Sequence, residues 1–495
     1  MAKRKFRKSG AVGVGRVHPV ATDKMPLPPA GKVARYILTS AQNNTMIHDR
    51  VWASLKTLAR HYEAQIMVST FTYDHSSIGS KSAKRGTEQR REEYWWDERV
   101  EGHVYDRSIE IAPGLIFCGE LNILPTAKNP IGGFEAYTGR ASSILPHAKF
   151  QVTCVPSPKF KGTKFVYTTG TVTLRNYIQK KAGQVAQFHH GYGAALVEVD
   201  SEGTWFVRQL NADSDGVIHD MDLVASGDEL TTGNRVEAVV WGDIHVRQME
   251  DWMKVTMSEV MDTLRPRTQA MHDLLDFRSK NHHERDDPWK TFKKFVENGS
   301  NVEEEVREAA KFLSEMSHED CNTLVVCSNH DQALERWLRE ADWKKDPENA
   351  LFYLRMNLLA LEAIEAKRND FYAVEWAFRL AGIISLSDVR FLRRDEEHTL
   401  CPKAGGGIEI GMHGDKGANG AKGDLRAFAR TGRKCIVGDR HTAGLYEGAM
   451  QVGVMGSLDH GYNVGMSSWS HTFAIVYPNG KRTLATVYDK KWRAQ

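Results

Sequence analysis

Five short segments in the second half of the chain carry aspartate, asparagine or histidine, most of them directly after an apolar run. The segments are Gly242-Asp243-Ile244-His245, residues 271–277, Ser328-Asn329-His330-Asp331, Met412-His413-Gly414-Asp415 and Gly438-Asp439-Arg440-His441. Short apolar runs predict buried β-strands, and ligands collect at the carboxyl ends of strands in open α/β sheets. The polar side chains are therefore expected to converge, which constrains this half of the chain to an α/β fold around a polar centre.

The residue types in these segments are those that bind divalent metal ions. Asp243 and His245, two residues apart at a strand end, can reach the same ion. The carboxylate of Asp273 can bridge two ions, because each of its oxygens can bind one. Oxygen and nitrogen ligands without thiolates favour manganese, magnesium, iron or zinc over a structural cysteine–zinc site. We therefore predict a centre for two divalent cations, with manganese as the first choice.

Each segment has an ordinary explanation when it is taken alone. A single Asp-x-His is explained by a helix cap or by a charged loop residue at least as often as by metal binding. Residues 271–277 alone are better explained as the polar face of a helix. The strand that runs into Asn329-His330-Asp331, just before a helix, is a more specific signal. The ordered series favours a dinuclear centre over ordinary buried polar residues.

A chain of 495 residues is longer than one domain with a single hydrophobic core usually is, so two domains are expected and three are the alternative. Residues 1–30 are expected to form a basic, flexible tail. A strand–helix–strand pattern over residues 33–73 predicts an N-terminal α/β domain at 31–232, with a DNA-binding or assembly role. Turn residues at 226–234 mark the boundary. The second domain spans 233–495, and its helical insert at about 331–394 either caps the site or forms an oligomer interface.

Composition argues against several classes of protein. The net charge of +3 is too small to imply a polyanionic partner by itself. No stretch approaches the ~18 apolar residues of a membrane span, and the basic start lacks the apolar run of a secretory signal. The six cysteines are scattered without a CxxC pair, which disfavours a disulfide framework. A cytoplasmic protein without a membrane span is expected.

A cluster of basic and aromatic residues in the N-terminal half is a candidate surface for nucleic acid. Basic side chains neutralise phosphates, and aromatic rings stack on unpaired bases. A strand-rich domain with solvated lysines explains the pattern equally well. The candidate contacts are Lys159, Lys161, Lys164, Arg175, Lys180 and Lys181, interleaved with Phe160, Phe165, Tyr167 and Tyr177.

The order of the five segments resembles the motifs of the calcineurin-like metallophosphoesterase superfamily, which run D-x-H, GD, GNH[DE], H and GHxH. The resemblance covers about residues 236–495 and implies a β-sandwich flanked by helices, beside a separate N-terminal α/β domain. The ligands that it implies are Asp243, His245 and His441 for one ion, Asn329 and His413 for the other, and Asp273 between them. His330 would be the catalytic residue that neutralises the phosphate or protonates the leaving oxygen.

Three positions depart from the motifs of the superfamily. His272 replaces the glycine of the second motif and Ser328 that of the third, which weakens the match only slightly. Asp439 stands where the last motif has its first histidine. An aspartate there can still bind the second ion, with a preference for a harder metal, or it marks an attenuated site.

Further segments resemble bacteriophage-encoded metallophosphoesterases, and among these the pre-early DNA transfer proteins of large tailed phages. The segments are residues 167–177, 189–193, 413–423 and 461–469. The resemblance implies a metal-dependent DNase that assists phage DNA transfer in the host cytoplasm. A homo-oligomer and a further phage or host partner are also expected. The alternatives are a phosphatase or small-substrate phosphodiesterase with the same metal site, and a DNA-transfer or DNA-binding protein whose site has decayed.

Overall fold

The computed structural model describes residues 5–6, 23–73, 94–281, 284, 287–297, 299–381, 389–404 and 406–494. Of the predicted basic tail, residues 1–4 and 7–22 lie outside the described residues. The described parts contain two short strands: Lys5–Phe6 pairs with Trp96–Asp97, and Asp23–Lys24 pairs with Ser108–Ala112. The prediction of a flexible tail is therefore wrong for these two strands, because their main chains are hydrogen-bonded to the body of the protein.

The N-terminal half is built mainly from strands. In chain order they are β1 (Lys5–Phe6), β2 (Asp23–Lys24), β3 (Ala34–Gln42), β4 (Gln65–Phe71), β5 (Trp96–Asp97), β6 (Ser108–Ala112), β7 (Leu115–Cys118), β8 (Ser142–Leu145), β9 (Gln151–Val155), β10 (Ser157–Pro158), β11 (Lys164–Thr168), β12 (Gly193–Val199), β13 (Trp205–Asn211), β14 (Val217–Asp220), β15 (Leu223–Ser226) and β16 (Glu229–Thr231). The helices are α1 (Asp49–Tyr62) and α2 (Lys181–Phe188). The predicted strand–helix–strand unit is confirmed by β3, α1 and β4. Helix α1 buries its apolar face, including Val51, Leu55 and Leu58.

The C-terminal half alternates strands and helices before it returns to strands. The strands are β17 (Ala238–Asp243), β18 (Thr268–His272), β19 (Asn322–Val326), β20 (Val389–Phe391), β21 (Thr399–Leu400), β22 (Ile408–Glu409), β23 (Lys434–Val437), β24 (Gly444–Tyr446), β25 (Ala449–Gln451), β26 (Met466–Ser467), β27 (Thr472–Val476) and β28 (Arg482–Thr486). The helices are α3 (Asp251–Leu264), α4 (Pro288–Val296), α5 (Val302–Met316), α6 (Asn329–Glu340), α7 (Ala350–Glu365), α8 (Ala373–Leu380) and α9 (Leu425–Ala429). The predicted helical segment between the third and fourth motifs is confirmed by α6, α7 and α8.

A six-stranded sheet with the order β20-β19-β18-β17-β27-β28 forms the centre of the C-terminal half. Strands β17 to β20 are parallel, and β27 and β28 are antiparallel. Parallel neighbours need crossover connections, which here are helical, and α3, α5, α6 and α8 share a buried core with one face of the sheet. The carboxyl ends of β17, β18 and β19 consequently lie at the same edge, as the sequence predicted for β17 and β19.

An eleven-stranded sheet faces the other side of the six-stranded sheet. Its order is β2-β6-β7-β8-β11-β9-β24-β25-β23-β22-β21, so strands from both halves of the chain form it. Strands β9 and β24 are antiparallel neighbours at the join. Val240 and Ala270 of the six-stranded sheet share one core with Ile436 and Met450 of this sheet. The prediction of a separate N-terminal domain is wrong, because hydrogen-bonded strands continue across the expected boundary.

The N-terminal half also contains a four-stranded sheet, β13-β12-β3-β4, and a three-stranded sheet, β14-β15-β16, which a buried ionic network joins. Arg208 on β13 donates Nε and Nη2 to the carboxylate of Asp220 at 2.8 and 2.9 Å, and Nη1 to Glu198 at 2.6 Å. Arg35 on β3 donates to the same glutamate at 2.9 Å. Paired in this way, buried charges keep their hydrogen bonds, and the network links four strands of this half, β3, β12, β13 and β14.

Among the described helices, none combines the length and the apolar character needed to cross a membrane.

Candidate metal centre

The two facing sheets deliver the predicted ligands to one place. Asp243 ends β17, Asp273 directly follows β18, and Asn329 begins α6 after β19. The six-stranded sheet thus supplies Asp243, His245, Asp273 and Asn329. The loops after β22 and β23 of the eleven-stranded sheet supply His413, Asp439 and His441. The second segment therefore ends a strand, and its explanation as a helix face is wrong.

A first group of four side chains surrounds one point in the interior. One ligand atom from each of Asp243, His245, Asp273 and His441 lies within 4.8 Å of the others, and all four residues are buried. His441 Nε2 is 3.1 Å from Asp243 Oδ2 and 3.1 Å from His245 Nε2. His245 Nε2 is 3.8 Å from Asp273 Oδ2. Two carboxylates and two imidazoles can together hold one divalent cation.

A second group is centred on His413 Nε2. This nitrogen is 3.4 Å from Asp273 Oδ2, 3.0 Å from Asn329 Oδ1 and 4.0 Å from Asp439 Oδ1. The side chain of His413 is fully buried, whereas 15% of the Asp439 side chain is exposed. Asp273 belongs to both groups, since the same oxygen lies close to His245 and to His413.

Several polar atoms at the centre lack the partners that buried polar atoms almost always have. Neither carboxylate oxygen of Asp243, nor Oδ1 of Asp273, nor Nδ1 of His441 forms a hydrogen bond with any described residue. The close approach of His441 Nε2 to Asp243 is thus a contact without hydrogen-bond orientation. Unpaired carboxylate oxygens are costly to bury, and a cation among them would remove that cost. The donor set therefore fits divalent metal ions.

The main chain is strained at the same place. His245, Asp273, Asp439 and His441 have φ angles of 46°, 46°, 70° and 55°. The left-handed region costs a residue with a side chain about 1–2 kcal/mol. Such strain persists only where the surrounding structure enforces it, and it concentrates at functional sites. Four of the seven predicted ligands are therefore held in orientations that a relaxed main chain disfavours.

Two glycines allow the close packing around Asp243. A Cβ on Gly438 would lie 2.3 Å from Asp243 Oδ1 and 3.3 Å from Cγ of both Asp243 and His272. A Cβ on Gly242 would lie 2.6 Å from the main-chain carbon of Gly453. Both positions require the absence of a side chain, which explains the glycine that begins the first and the last segment.

The charges of the cluster are strongly coupled. Burial lowers the pKa of His245, but the carboxylates of Asp276 and Asp273 outweigh burial and raise it to about 9. Burial likewise lowers the pKa of His413, but the neighbouring carboxylates of Asp273 and Asp243 outweigh burial and raise this pKa to about 10. Burial disfavours the charged form of Asp273, yet His413 and His330 hold its pKa well below the usual range. Burial raises the pKa of Asp439 to about 6, and His413 offsets this only in part.

His330 lies at the rim of the cluster, where one ligand atom from each of His245, Asp276 and His330 lies within 4.8 Å of the others. Its ring is 5.0 Å from that of His245, and 21% of its side chain is exposed. Nδ1 is 2.6 Å from the main-chain oxygen of Asp276. Ser328, which stands where the motif has glycine, caps the N-terminus of α6 together with Asp331. The cap fixes the first turn of the helix, which carries His330. The imidazole at the rim is partly exposed, and it is also close enough to His245 and Asp276 to share an ion with them.

Sequence reasoning missed three members of the cluster as site residues. His272 Nδ1 is 3.3 Å from His413 Nδ1, and Asp276 Oδ1 is 3.3 Å from His245 Nδ1. The His460 ring is 4.8 Å from that of His245, and neither of its nitrogens has a hydrogen-bond partner among the described residues. His272 and Asp276 stand inside the second segment, where they could have been found. No apolar strand leads into His460, so the pattern gave no signal for it.

The predicted DNA contacts have mixed positions. Lys164 is buried and donates to the main-chain oxygens of Glu135 and Gly139 at 2.6 and 2.7 Å, so its assignment as a DNA contact is wrong. Lys159 is largely buried and pairs with Asp459 at 2.8 Å. The exposed members are Lys161, Arg175, Lys180 and Lys181. The aromatic rings of Phe165, Tyr167 and Tyr177 are buried, so they cannot stack on bases.

The fold and the site define an α/β protein with a buried aspartate–histidine cluster suited to divalent cations. The chain is 36% identical over 476 residues to Protein A1 of Escherichia phage T5, and the similarity covers 93% of this chain and 83% of that protein. The chain belongs to the family of Protein A1, which supports the phage origin expected from the sequence. No protein-family model and no solved structure matches the chain.

Proposed function

We propose that the protein is a metal-dependent phosphodiesterase that hydrolyses DNA at a centre for two divalent cations, with manganese as the first choice. The position of Asp273 is the observation that carries the proposal. Its Oδ2 lies 3.8 Å from His245 of the first group and 3.4 Å from His413 of the second. A carboxylate shared by two ligand sets is what a bridging ligand requires. The arrangement of two facing sheets with helices outside supports the calcineurin-like architecture that the motifs imply.

The residues have distinct tasks in this proposal. The first ion is assigned to Asp243, His245, Asp273 and His441, and the second to Asp273, Asn329, His413 and Asp439. Two bound cations would lower the pKa of a water molecule and stabilise charge on the phosphoryl group. His330 donates Nδ1–H to the main-chain oxygen of Asp276, which fixes the ring. Its Nε2 then supplies a proton to the leaving oxygen, a contribution of about 10²–10⁴-fold.

The first experiment compares substrates and a single variant. Purified protein with Mn²⁺ is incubated with plasmid, single-stranded DNA and a chromogenic phosphodiester. Asp273→Asn is expected to abolish cleavage and leave the fold intact, because both ions lose their shared charged ligand. Asp262→Asn, on the exposed side of α3, is the matched control. Substantial activity of Asp273→Asn with saturating Mn²⁺ would remove Asp273 from the bridging position.

The second experiment separates DNA from small esters. Phosphate contacts release counterions, so DNA binding weakens with salt at a log–log slope of about −0.9 per neutralised phosphate. The small ester should show almost no such dependence. If the protein cleaves the ester but cleaves DNA at no salt concentration, the nuclease proposal is rejected. The second candidate function, a phosphatase or small-substrate phosphodiesterase with the same centre, then takes its place.

The candidate function as a DNA-transfer or DNA-binding protein with an attenuated site rests on Asp439. The Asp439 carboxylate oxygen lies 4.0 Å from His413 Nε2, which supports Asp439 as a retained metal ligand.

We place the protein in the host cytoplasm, with DNA and a further phage or host protein as partners. A second copy of the chain is also proposed, since α7 exposes an apolar stripe. The stripe consists of Leu351, Leu354, Leu358, Leu361 and Ile364.

A further inference from the structure

A large cavity and the candidate metal centre lie at opposite ends of strand β23. The volume of the cavity is about 650 Å³, and it is bounded by the loop after α2, the start of β23 and the turn before β28. Lys434, the first residue of β23, lines the cavity, whereas Asp439 follows the other end of that strand. Five residues of extended chain span roughly 16 Å. The cavity is therefore separate from the proposed catalytic centre.

The lining of the cavity is strongly cationic. Six lysine or arginine side chains face one carboxylate, that of Glu447. Glu447 lies 3.6 Å from Lys149 Nζ and 3.4 Å from His189 Nε2, so its charge is already shared. Four of the cations form no ion pair within the part of the chain that the structure describes. They are Arg175, Lys434, Lys481 and Arg482.

Two of these cations, Lys481 and Arg482, are built into the wall and are not simply solvated, whereas Arg175 is exposed. Arg482 is only 8% exposed, and its guanidinium donates to the main-chain oxygen of Cys435 at 2.8 Å and to that of Gly448. Burial lowers the pKa of Lys481 to about 8, with a further contribution from the charge of Lys434. Burial also lowers the pKa of Arg482 to about 10. Like charges held together in a partly enclosed space repel one another, and an anion between them would remove the repulsion.

An exposed aromatic ring completes the site. Phe188, at the end of α2, lines the cavity with 82% of its surface exposed. It meets the ring of His189 edge to face at 4.9 Å. A solvated phenyl group beside a cationic pocket offers a stacking face, and stacking of a base on such a ring contributes about 1–3 kcal/mol.

We propose that this cavity is a second ligand site that binds a nucleotide, with its phosphate among Lys434, Lys481 and Arg482 and its base against Phe188. The volume lies within the range of pockets that enclose small ligands. The ligand is a free nucleotide or the phosphorylated end of a DNA strand, which present the same chemistry. The site is independent of the proposed phosphodiesterase activity, since no candidate metal ligand lines it.

The test is a binding titration of the full-length protein by calorimetry in the presence of EDTA. The probes are inorganic phosphate, a deoxynucleoside monophosphate, and a short single-stranded oligonucleotide with and without a 5′-phosphate. A nucleotide is expected to bind at least tenfold more tightly than inorganic phosphate. Preference for the free nucleotide would identify that source, and preference for the 5′-phosphorylated oligonucleotide would identify a DNA end.

Single variants assign the binding to the cavity. Lys434→Gln and Lys481→Gln keep most of the side-chain volume, and each is expected to weaken nucleotide binding at least tenfold. Phe188→Ala should weaken the nucleotide but not inorganic phosphate. Lys490→Gln, at an exposed position outside the cavity, should bind as the unchanged protein does. Circular dichroism verifies that each variant is folded.

Two results would overturn the proposal. One is the absence of binding for every probe, or binding that neither lysine variant changes. The other is nucleotide binding that disappears in Asp273→Asn, because the ligand would then occupy the metal centre. Retained binding in Asp273→Asn together with loss in Lys481→Gln would establish two separate sites, whether or not the protein cleaves DNA.

Discussion

Replacement of Gly438 by alanine tests the packing on which the first metal group depends. The added Cβ would lie 2.3 Å from Asp243 Oδ1, about 1 Å closer than an ordinary contact of 3.4 Å. The φ angle of Gly438 is not in the left-handed region, so the strain falls on the neighbouring side chain and not on the main chain. Asp243 is fully buried and follows the packed core of β17, which leaves its carboxylate little space to retreat.

Overpacking of this kind costs about 1–3 kcal/mol. If the strain is relieved by displacing the Asp243 carboxylate, the cost appears as a loss of metal affinity. A free energy of about 1–3 kcal/mol corresponds to about 5–150-fold in a binding constant. We therefore expect Gly438→Ala to bind Mn²⁺ about 5–150-fold more weakly than the unchanged protein, while the metal-free stability falls by at most a few kcal/mol.

Calorimetric titration with Mn²⁺ measures the affinity directly, and thermal unfolding with and without Mn²⁺ measures it independently. A ligand at 100 times its Kd stabilises the folded state by about 2.7 kcal/mol, and a Kd that is about 5–150-fold weaker leaves about 1.8 to 0.3 kcal/mol of this stabilisation at the same Mn²⁺ concentration. Gly448→Ala is the matched control, because its Cβ would make its closest contact at 3.5 Å. Unchanged Mn²⁺ affinity in Gly438→Ala would refute the placement of the Asp243 carboxylate at the metal.

Three further predictions concern single side chains. Arg208→Met should lower the free energy of unfolding in urea by about 3–5 kcal/mol, because Glu198 and Asp220 would remain buried without their cation; a loss below 1 kcal/mol would contradict this account. Burial disfavours the charged form of Glu198, but Arg208 holds its pKa below the usual value, so the stability it contributes is present above about pH 4.3 and lost as the pH falls below it. His330→Ala should keep both metal ions, counted by elemental analysis, and slow turnover about 10²–10⁴-fold; loss of metal would make His330 a ligand instead. Asp439→Ala should weaken the second metal ion about tenfold or more and Asp439→His should be tolerated, whereas a rise in activity of orders of magnitude in Asp439→His would identify the present sequence as an attenuated form.

The sequence predicted the elements around the centre because their signals are local. Short apolar runs marked β17, β19 and β23, and polar residues at their ends do converge, as shown by the contacts of His441 after β23 with Asp243 at the end of β17 and with His245 just after it. The strand–helix–strand unit of β3, α1 and β4 was equally readable, since the periodicity of each element lies within its own residues.

The errors arose where distant parts of the chain meet. Strands β9 and β24 are hydrogen-bonded neighbours although nearly 300 residues separate them in the sequence. A local sequence pattern does not predict such a pair. Lys164 looked like a surface cation, yet tertiary packing buries it and main-chain oxygens satisfy its ammonium group. His460 lies in a loop without periodicity, so only the folded structure brings it to His245.

Strands of the N-terminal half also support the candidate metal centre. Strand β9 pairs with β24 in the sheet that carries His413, Asp439 and His441, and β10 pairs with β26 beside the loop of His460. Lys159, predicted as a DNA contact, anchors that loop through Asp459 at 2.8 Å. A fragment beginning near residue 233 would expose the edge of β24 and the apolar core that the two halves share. The proposed catalysis and the proposed DNA binding therefore have to be separated by point substitutions, because strands of the N-terminal half belong to the sheet that positions His413, Asp439 and His441.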